Sequence, residues 1–154
     1  METTIITNRE KNYAAFMHLS VLTKYFIPFG NYFVPIIMWA TRKETSELAD
    51  YNGKQVINFQ LSMFLYSLVL LIVAIPSFVY SLFNNVSFNT FTNGDFIFDK
   101  LSTGNLTGMV LIAVIAAGIY IFSKIIEFFL VIYGAIKTSE GHYFKYPLTI
   151  NFIK

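Results

Sequence analysis

Residues 61–82, LSMFLYSLVLLIVAIPSFVYSL, contain no charged side chain over twenty-two positions. A helix needs about 20 apolar residues to cross a bilayer, where it must satisfy its own backbone hydrogen bonds. Residues 109–133 are a second such stretch, and their only charges are Lys124 and Glu127. The two stretches predict two long transmembrane helices, the first kinked at Pro76.

The composition supports a membrane protein. The chain has 154 residues, of which 13% are charged, whereas a soluble domain has about 25%. We therefore predict an all-α, polytopic helical membrane protein that forms one domain over residues 1–154. Its helices are expected at roughly residues 8–26, 32–41, 55–83 and 107–137.

Composition also limits the partners. The absence of cysteine excludes disulfides and thiolate chemistry, and a net charge of +2 gives no sign of nucleic-acid binding. The lipid bilayer is the expected partner, joined either by other membrane proteins or by further copies of the chain.

The opening apolar stretch, HLSVLTKYFIPFGNYFVPIIMW over residues 18–39, is interrupted. Pro28, Gly30 and Pro35 are candidate hinge residues, because the residue before proline disfavours a helix and glycine permits a turn. We favour a broken N-terminal helical hairpin that turns at residues 27–30. In the alternative, the stretch crosses once and Lys24 lies deep in the bilayer, at a cost of about 2.5–3.5 kcal/mol.

Basic residues set the expected orientation, because they remain on the cytoplasmic side. They flank the two clear spans at Arg42, Lys43, Lys54, Lys137, Lys145 and Lys154. We therefore expect both termini and the tail, residues 138–154, to be cytoplasmic. Residues 84–106 should form an extracytoplasmic loop, which either rests on the membrane surface or pairs as a short hairpin. Polar residues 41–55 are expected to form a short surface helix, and whether the tail folds against the bundle stays open.

A stripe on the last helix should face the bundle interior, because intramembrane charges normally face inward and pair. Its members are Ala113, Ala117, Tyr120, Lys124, Glu127 and Val131. Lys124 and Glu127 lie three residues apart and are expected to pair with each other, locking the helix packing. A polar pathway or proton relay, and an interfacial pair that reaches the headgroups, are the alternatives.

Three further polar residues lie within apolar sequence. His18 is expected to hydrogen-bond Glu127 or Asn58, and a lone histidine makes a poor metal site. Asn58 and Gln60 are expected to cap the backbone of the hairpin turn or of the tail. No spacing assembles a catalytic, metal-binding or cofactor-binding group, so we expect no enzyme and no cofactor.

Three stretches resemble the Tic-twenty-like family of small bacterial membrane proteins of unknown function. They are HLSVLTKYFIPFGNYFVPIIMWATRK, DYNGKQVINFQLSMFLY and GAIKTSEGHYFKYPLTINFI. The matching positions are His18, Leu19, Ser20, Pro28, Gly30, Pro35, Trp39, Gly53, Lys54, Asn58, Phe59, Gln60, Ala135, Gly141, Tyr146 and Pro147. The resemblance implies about four helices in the bacterial cytoplasmic (inner) membrane, with both ends cytoplasmic and no assured activity.

Two functions follow from these expectations. The first is a non-enzymatic membrane protein that associates with partners as a translocation or assembly factor. The alternative is a small oligomeric channel or transporter that uses Lys124 and Glu127, because interrupted helices often line substrate sites.

Overall fold

The computed structural model describes residues 6–85 and 108–154, and this part of the chain is helical without strands. Helix α1 spans Asn8–Leu19 and continues as a 3₁₀ segment, Ser20–Tyr25. Helices α2, α3 and α4 follow at Gly30–Arg42, Glu47–Asn85 and Gly108–Ser139. The expected loop at residues 84–106 lies almost wholly outside the described residues, as does its expected hairpin.

Helix α1 begins at a capping box. The Thr7 side chain accepts from the backbone N–H of Glu10, and the Glu10 carboxylate accepts from the backbone N–H of Thr7. The sequence predicts a first helix over residues 8–26, but the α-helix ends at Leu19. Ser20 and Thr23 each donate a hydroxyl to the carbonyl three residues before, a bond that favours the tighter 3₁₀ winding found there.

The predicted break at residues 27–30 is present, because α2 starts at Gly30. The reason given for Gly30 was wrong. Phe29 takes the left-handed backbone conformation, with φ of 60°, while Gly30 already belongs to the helix. A Cβ at Gly30 would lie 2.6 Å from the Thr23 hydroxyl oxygen, so glycine is needed here for close packing. Helix α2 continues through Pro35, the third proposed hinge residue.

The prediction of a separate surface helix at residues 41–55 was wrong, because α3 already begins at Glu47. Ser46 precedes the helix and accepts the backbone N–H of Ala49, which satisfies a donor of the first turn. Glu47 and Asp50 place negative charge where the helix dipole favours it. The polar sequence is therefore the first part of the long helix, which also continues through Pro76.

Two stretches, Glu47–Ser77 and Leu111–Ser139, are long and apolar enough to cross a membrane. They fall on α3 and α4, as predicted. Of the stripe expected to face inward, Glu127 and Val131 are buried, whereas Ala117 and Tyr120 are exposed.

The chain forms two compact units. Unit 2, residues 66–124, contains the later part of α3 and the earlier part of α4. Unit 1, residues 1–65 and 125–154, contains the N-terminal hairpin, the start of α3, the end of α4 and the tail. Its apolar core consists of Val21, Val56, Phe59, Met63, Val131 and Tyr146.

The tail packs against α3 within unit 1. Asn58 accepts the backbone N–H groups of Phe152 and Ile153, at 3.1 and 2.8 Å, and donates to the Ile153 carbonyl. Ser62 accepts the N–H of Ile150 at 2.8 Å. Of the two places predicted for Asn58, the hairpin turn and the tail, these bonds select the tail, which therefore folds against the bundle. The same prediction for Gln60 was wrong, because its side chain bonds the Asn31 and Glu127 side chains.

Trp39 packs across the backbone of α3 at Gly53. Its indole N–H donates to Asp50 at 2.8 Å, and Asp50 also pairs with Lys54 at 2.7 Å. A Cβ at Gly53 would lie within 3 Å of three Trp39 atoms. The indole cannot move away without losing its hydrogen bond.

We therefore expect Gly53→Ala to destabilise unit 1 by about 1–3 kcal/mol through overpacking. Gly118→Ala is the matched control, because a Cβ there meets no described atom within 4 Å. Thermal melts of both variants in detergent measure the difference. Equal melting temperatures would contradict close packing between Trp39 and Gly53.

Candidate functional site

A buried polar cluster around His18 joins four segments of unit 1. The His18 Nδ1 atom lies 2.7 Å from the Tyr146 hydroxyl, and its Nε2 atom lies 3.1 Å from Asn52 Oδ1 and 3.0 Å from Thr138 Oγ1. All four side chains are at most 1% exposed. The cluster links α1, α3, α4 and the tail.

The hydrogen-bond directions follow from Asn52. Its Oδ1 accepts the backbone N–H of Phe144, and its Nδ2 donates to the Leu48 carbonyl, so its amide orientation is fixed. Asn52 Oδ1 can only accept, and His18 Nε2 must therefore carry the hydrogen. His18 Nδ1 then accepts from the Tyr146 hydroxyl.

Burial sets the ionisation of this cluster. Loss of hydration lowers the pKa of His18 to about 4, opposed in part by its hydrogen bond to Asn52. Burial also raises the pKa of the Tyr146 hydroxyl, with a smaller contribution from the charge of Glu127. Both groups are therefore neutral at pH 7, and both ring nitrogens of His18 are engaged.

A second polar cluster contains the charges. Lys24 Nζ lies 2.7 Å from Glu127 Oε1, where the Gln60 amide also donates at 3.2 Å. Asn31 in turn donates to the Gln60 carbonyl oxygen at 2.7 Å. Glu127 is 1% exposed, so its carboxylate depends on such partners rather than on water for its stabilisation.

Most of the polar residues singled out in the sequence fall in these clusters and the tail contact. Lys24, Gln60 and Glu127 lie together, and the pairing predicted between Glu127 and Lys124 stays a prediction. Lys124 belongs to unit 2, where its ammonium lies 5.4 Å from the centre of the Tyr120 ring. His18 bonds neither of the partners expected for it.

Sequence reasoning missed four members of the clusters: Asn31, Asn52, Thr138 and Tyr146. The sequence carries a sign of the buried clusters on α3. Uncharged polar residues recur there among apolar ones, at Asn52, Gln55, Asn58, Gln60 and Ser62. Helical spacing places Asn52, Gln55 and Ser62 near one face, and all three are buried. Such a face at the start of an apolar helix indicates polar partners from other segments.

The polar groups of the two clusters bond mainly to one another. Within residues 6–85 and 108–154, no three His, Cys, Asp or Glu side chains are placed to hold a metal ion. The expectations of no cofactor and no catalytic residue stay predictions. The arrangement fixes the positions of four segments relative to one another.

These features define a small all-helical protein with two helices able to cross a membrane and a polar core in one of its units. A family model described as the magnetosome magnetite crystal formation protein family matches residues 9–153. The chain belongs to this family. It matches no curated protein and no solved structure.

The family match overturns the Tic-twenty-like resemblance. Residues that carried the resemblance serve internal packing: Gly53 accommodates Trp39, Asn58 binds the tail and His18 joins four segments. Such contacts are requirements of packing, so the same short motifs do not by themselves identify a family. The implications drawn from that resemblance lose their basis.

The low pKa of His18 predicts a pH dependence. Unfolding exposes the ring, whose pKa then returns to about 6.5. The unfolded state binds the additional proton between pH 6.5 and about 4, so the stabilisation is complete above pH 6.5 and is lost as the pH falls through this window. The expected loss is about 3 kcal/mol.

Melting temperatures from pH 7 to 4 measure this loss. His142→Gln is the control, because it removes the second histidine of the chain, whose side chain is 65% exposed. We expect this variant to keep the pH profile of the unmodified chain. His18→Gln should flatten the profile. A slope as steep as that of the unmodified chain would show that other groups cause it.

Proposed function

We propose that this chain is a non-enzymatic membrane protein that supports magnetite formation by associating with other proteins in the magnetosome membrane. Membership of the family indicates the process, which is magnetite formation. Two helices are long and apolar enough to cross a membrane. The supporting observation is that His18 and Glu127 are buried and bonded within unit 1. Reactive groups held in this way favour a positioning role over a chemical one.

The exposed apolar surface supports association within a membrane. In unit 2, large side chains of α4 such as Ile115, Ile119 and Phe122 are 51–63% exposed. Lipid or the apolar helices of other proteins would cover such side chains at little cost. Further copies of the chain are a second class of partner that this surface suits.

The proposal includes a topology in which both termini and the start of α3 face the cytoplasm. Basic residues near Arg42 and at the end of α4 support it through the positive-inside rule. The chain has no cysteine, so single cysteines can be introduced at Thr45 and Ser139, both exposed. In sealed membrane vesicles prepared with the cytoplasmic face outward, an impermeant maleimide should label both. Protection of either site until detergent is added would contradict this topology.

A small oligomeric channel or transporter is the second candidate. The observation in its favour is the polar chain of Lys24, Glu127, Gln60 and Asn31, which brings charge into apolar sequence. Lys124 on the same helix as Glu127 would contribute a further charge. In this reading the charges carry ions or protons, and the packing is secondary.

Complementation distinguishes the two candidates. A magnetite-forming bacterium that lacks this chain should form crystals of altered size or number, and the unmodified chain should restore them. A Lys24→Met and Glu127→Gln double variant removes both charges of the Lys24–Glu127 ion pair. The association proposal predicts that this variant, if it melts normally, restores crystals to within about twofold and co-purifies the same proteins.

Loss of crystals with normal melting and unchanged co-purification would contradict the association proposal and favour the transporter. Lys54→Met with Asp50→Asn is the control, because it removes a partly exposed pair on α3. Repeated isolation of the chain as a lone monomer, with crystals restored, would also contradict the association proposal.

A further inference from the structure

We infer that a cavity at the start of α1 and α3 binds the phosphate group of an anionic lipid. The cavity has a volume of about 330 Å³ and lies wholly within unit 1. This volume is near the lower end of the range found for small-ligand sites. Two arginines from different helices, Arg9 on α1 and Arg42 on α2, contribute to its wall.

The wall chemistry fits phosphate. A guanidinium group presents paired N–H donors that match two phosphate oxygens, and it remains charged at all physiological pH values. Thr45 and Ser46 also line the wall, where the Thr45 hydroxyl donates to the Arg42 carbonyl and the Ser46 hydroxyl is hydrogen-bonded to Glu10. A phosphate would receive both charge and directed hydrogen bonds from the two arginines.

Arg42 is already held in place. Its guanidinium carbon lies 5.4 Å from the centre of the Tyr13 ring, and the Tyr13 hydroxyl donates to the Met38 carbonyl at 2.9 Å. A restrained arginine loses less conformational freedom on binding than a mobile one. The pocket therefore has one ordered cation before any ligand enters.

Glu10 gives the cavity a counter-charge. Hydrogen bonds from Thr7 are the largest cause of its lowered pKa, and the nearby Arg42 contributes, so its carboxylate is ionised at neutral pH. Two arginines and one carboxylate leave the wall with a net positive charge of one. An anion is therefore favoured, and removal of the Glu10 charge should strengthen its binding.

The position of the cavity favours a lipid over free phosphate as the source. The helix that contains the candidate span begins at Glu47, directly after Thr45 and Ser46 in the cavity wall, and its charged first turns precede the uncharged sequence that begins at Gln55. Lipid phosphates lie just outside the apolar part of a bilayer, and the cavity lies beyond the charged end of this helix, on the side where such phosphates would be met. Basic pockets at this level bind anionic headgroups in other membrane proteins. This inference is independent of the association role.

The test titrates the full chain in uncharged detergent with phosphatidylglycerol and counts bound lipid by native mass spectrometry. Diacylglycerol with the same acyl chains controls for apolar binding. Arg9→Gln and Arg42→Gln should each weaken phosphatidylglycerol binding about tenfold, which is the size of one charge-assisted hydrogen bond. Glu10→Gln retains a side chain that suits the capping box, and it should tighten binding about threefold.

Lys43→Gln is the matched control. It removes the same charge one residue beyond Arg42, at a lysine that lies over Trp39 and does not line the cavity. Binding by this variant should stay within about twofold of the unmodified chain. Thermal melts check that every variant is folded.

Equal effects of Arg42→Gln and Lys43→Gln, or weaker binding by Glu10→Gln, would overturn the site. A parallel titration with inorganic phosphate at constant ionic strength separates the two sources. Displacement of phosphatidylglycerol by excess phosphate supports the shared phosphate chemistry. Arginine-dependent binding of inorganic phosphate without any binding of phosphatidylglycerol would overturn the lipid as the ligand.

Discussion

One buried carbonyl oxygen, Asn52 Oδ1, holds unit 1 together. It accepts hydrogen bonds from His18, Thr138 and the backbone of Phe144, which belong to α1, α4 and the tail. These donors are buried or partly buried. A buried donor without a partner costs about 1–3 kcal/mol. Departure of any one segment would therefore leave polar groups unsatisfied on both sides of the break.

The ion pair of Lys24 and Glu127 adds a second link between the N-terminal hairpin and α4. Lipid is as apolar as a leucine side chain, so helices in a membrane gain little from hiding apolar surface against each other. Directed polar bonds then decide which segments meet. The stacking of Phe59 on Tyr146, with ring centres 4.1 Å apart, fills the space beside these bonds.

The sequence predicted features that depend on neighbouring residues. The lengths of the two apolar stretches predict α3 and α4, and the region Pro28–Gly30 predicts the break in the hairpin. Polar composition at residues 41–55 predicts a separate surface segment, whereas Ser46 and two acidic side chains start the long helix there. Charge alone does not distinguish a surface helix from the first turns of a long one.

The polar core was beyond such reasoning. His18 and Tyr146 are 128 residues apart, and Lys24 and Glu127 are 103 apart. Periodicity describes one helix at a time and does not show which face of another segment it will meet. Helical spacing predicts Lys124 as a partner of Glu127 on its own helix, but it gives no sign of Lys24 in the hairpin.

The contact of Asn58 with the tail has a consequence for how the sequence can diverge. The hydrogen bonds that Asn58 and Ser62 make with residues 150–153 use main-chain atoms of the tail. Every amino acid except proline offers the same main-chain N–H group. Selection to keep this contact would act on two positions of α3 and leave the side chains of residues 150–153 free to change. Relatives could therefore vary their last residues for other purposes, such as contacts with different partners, without altering the path of the chain.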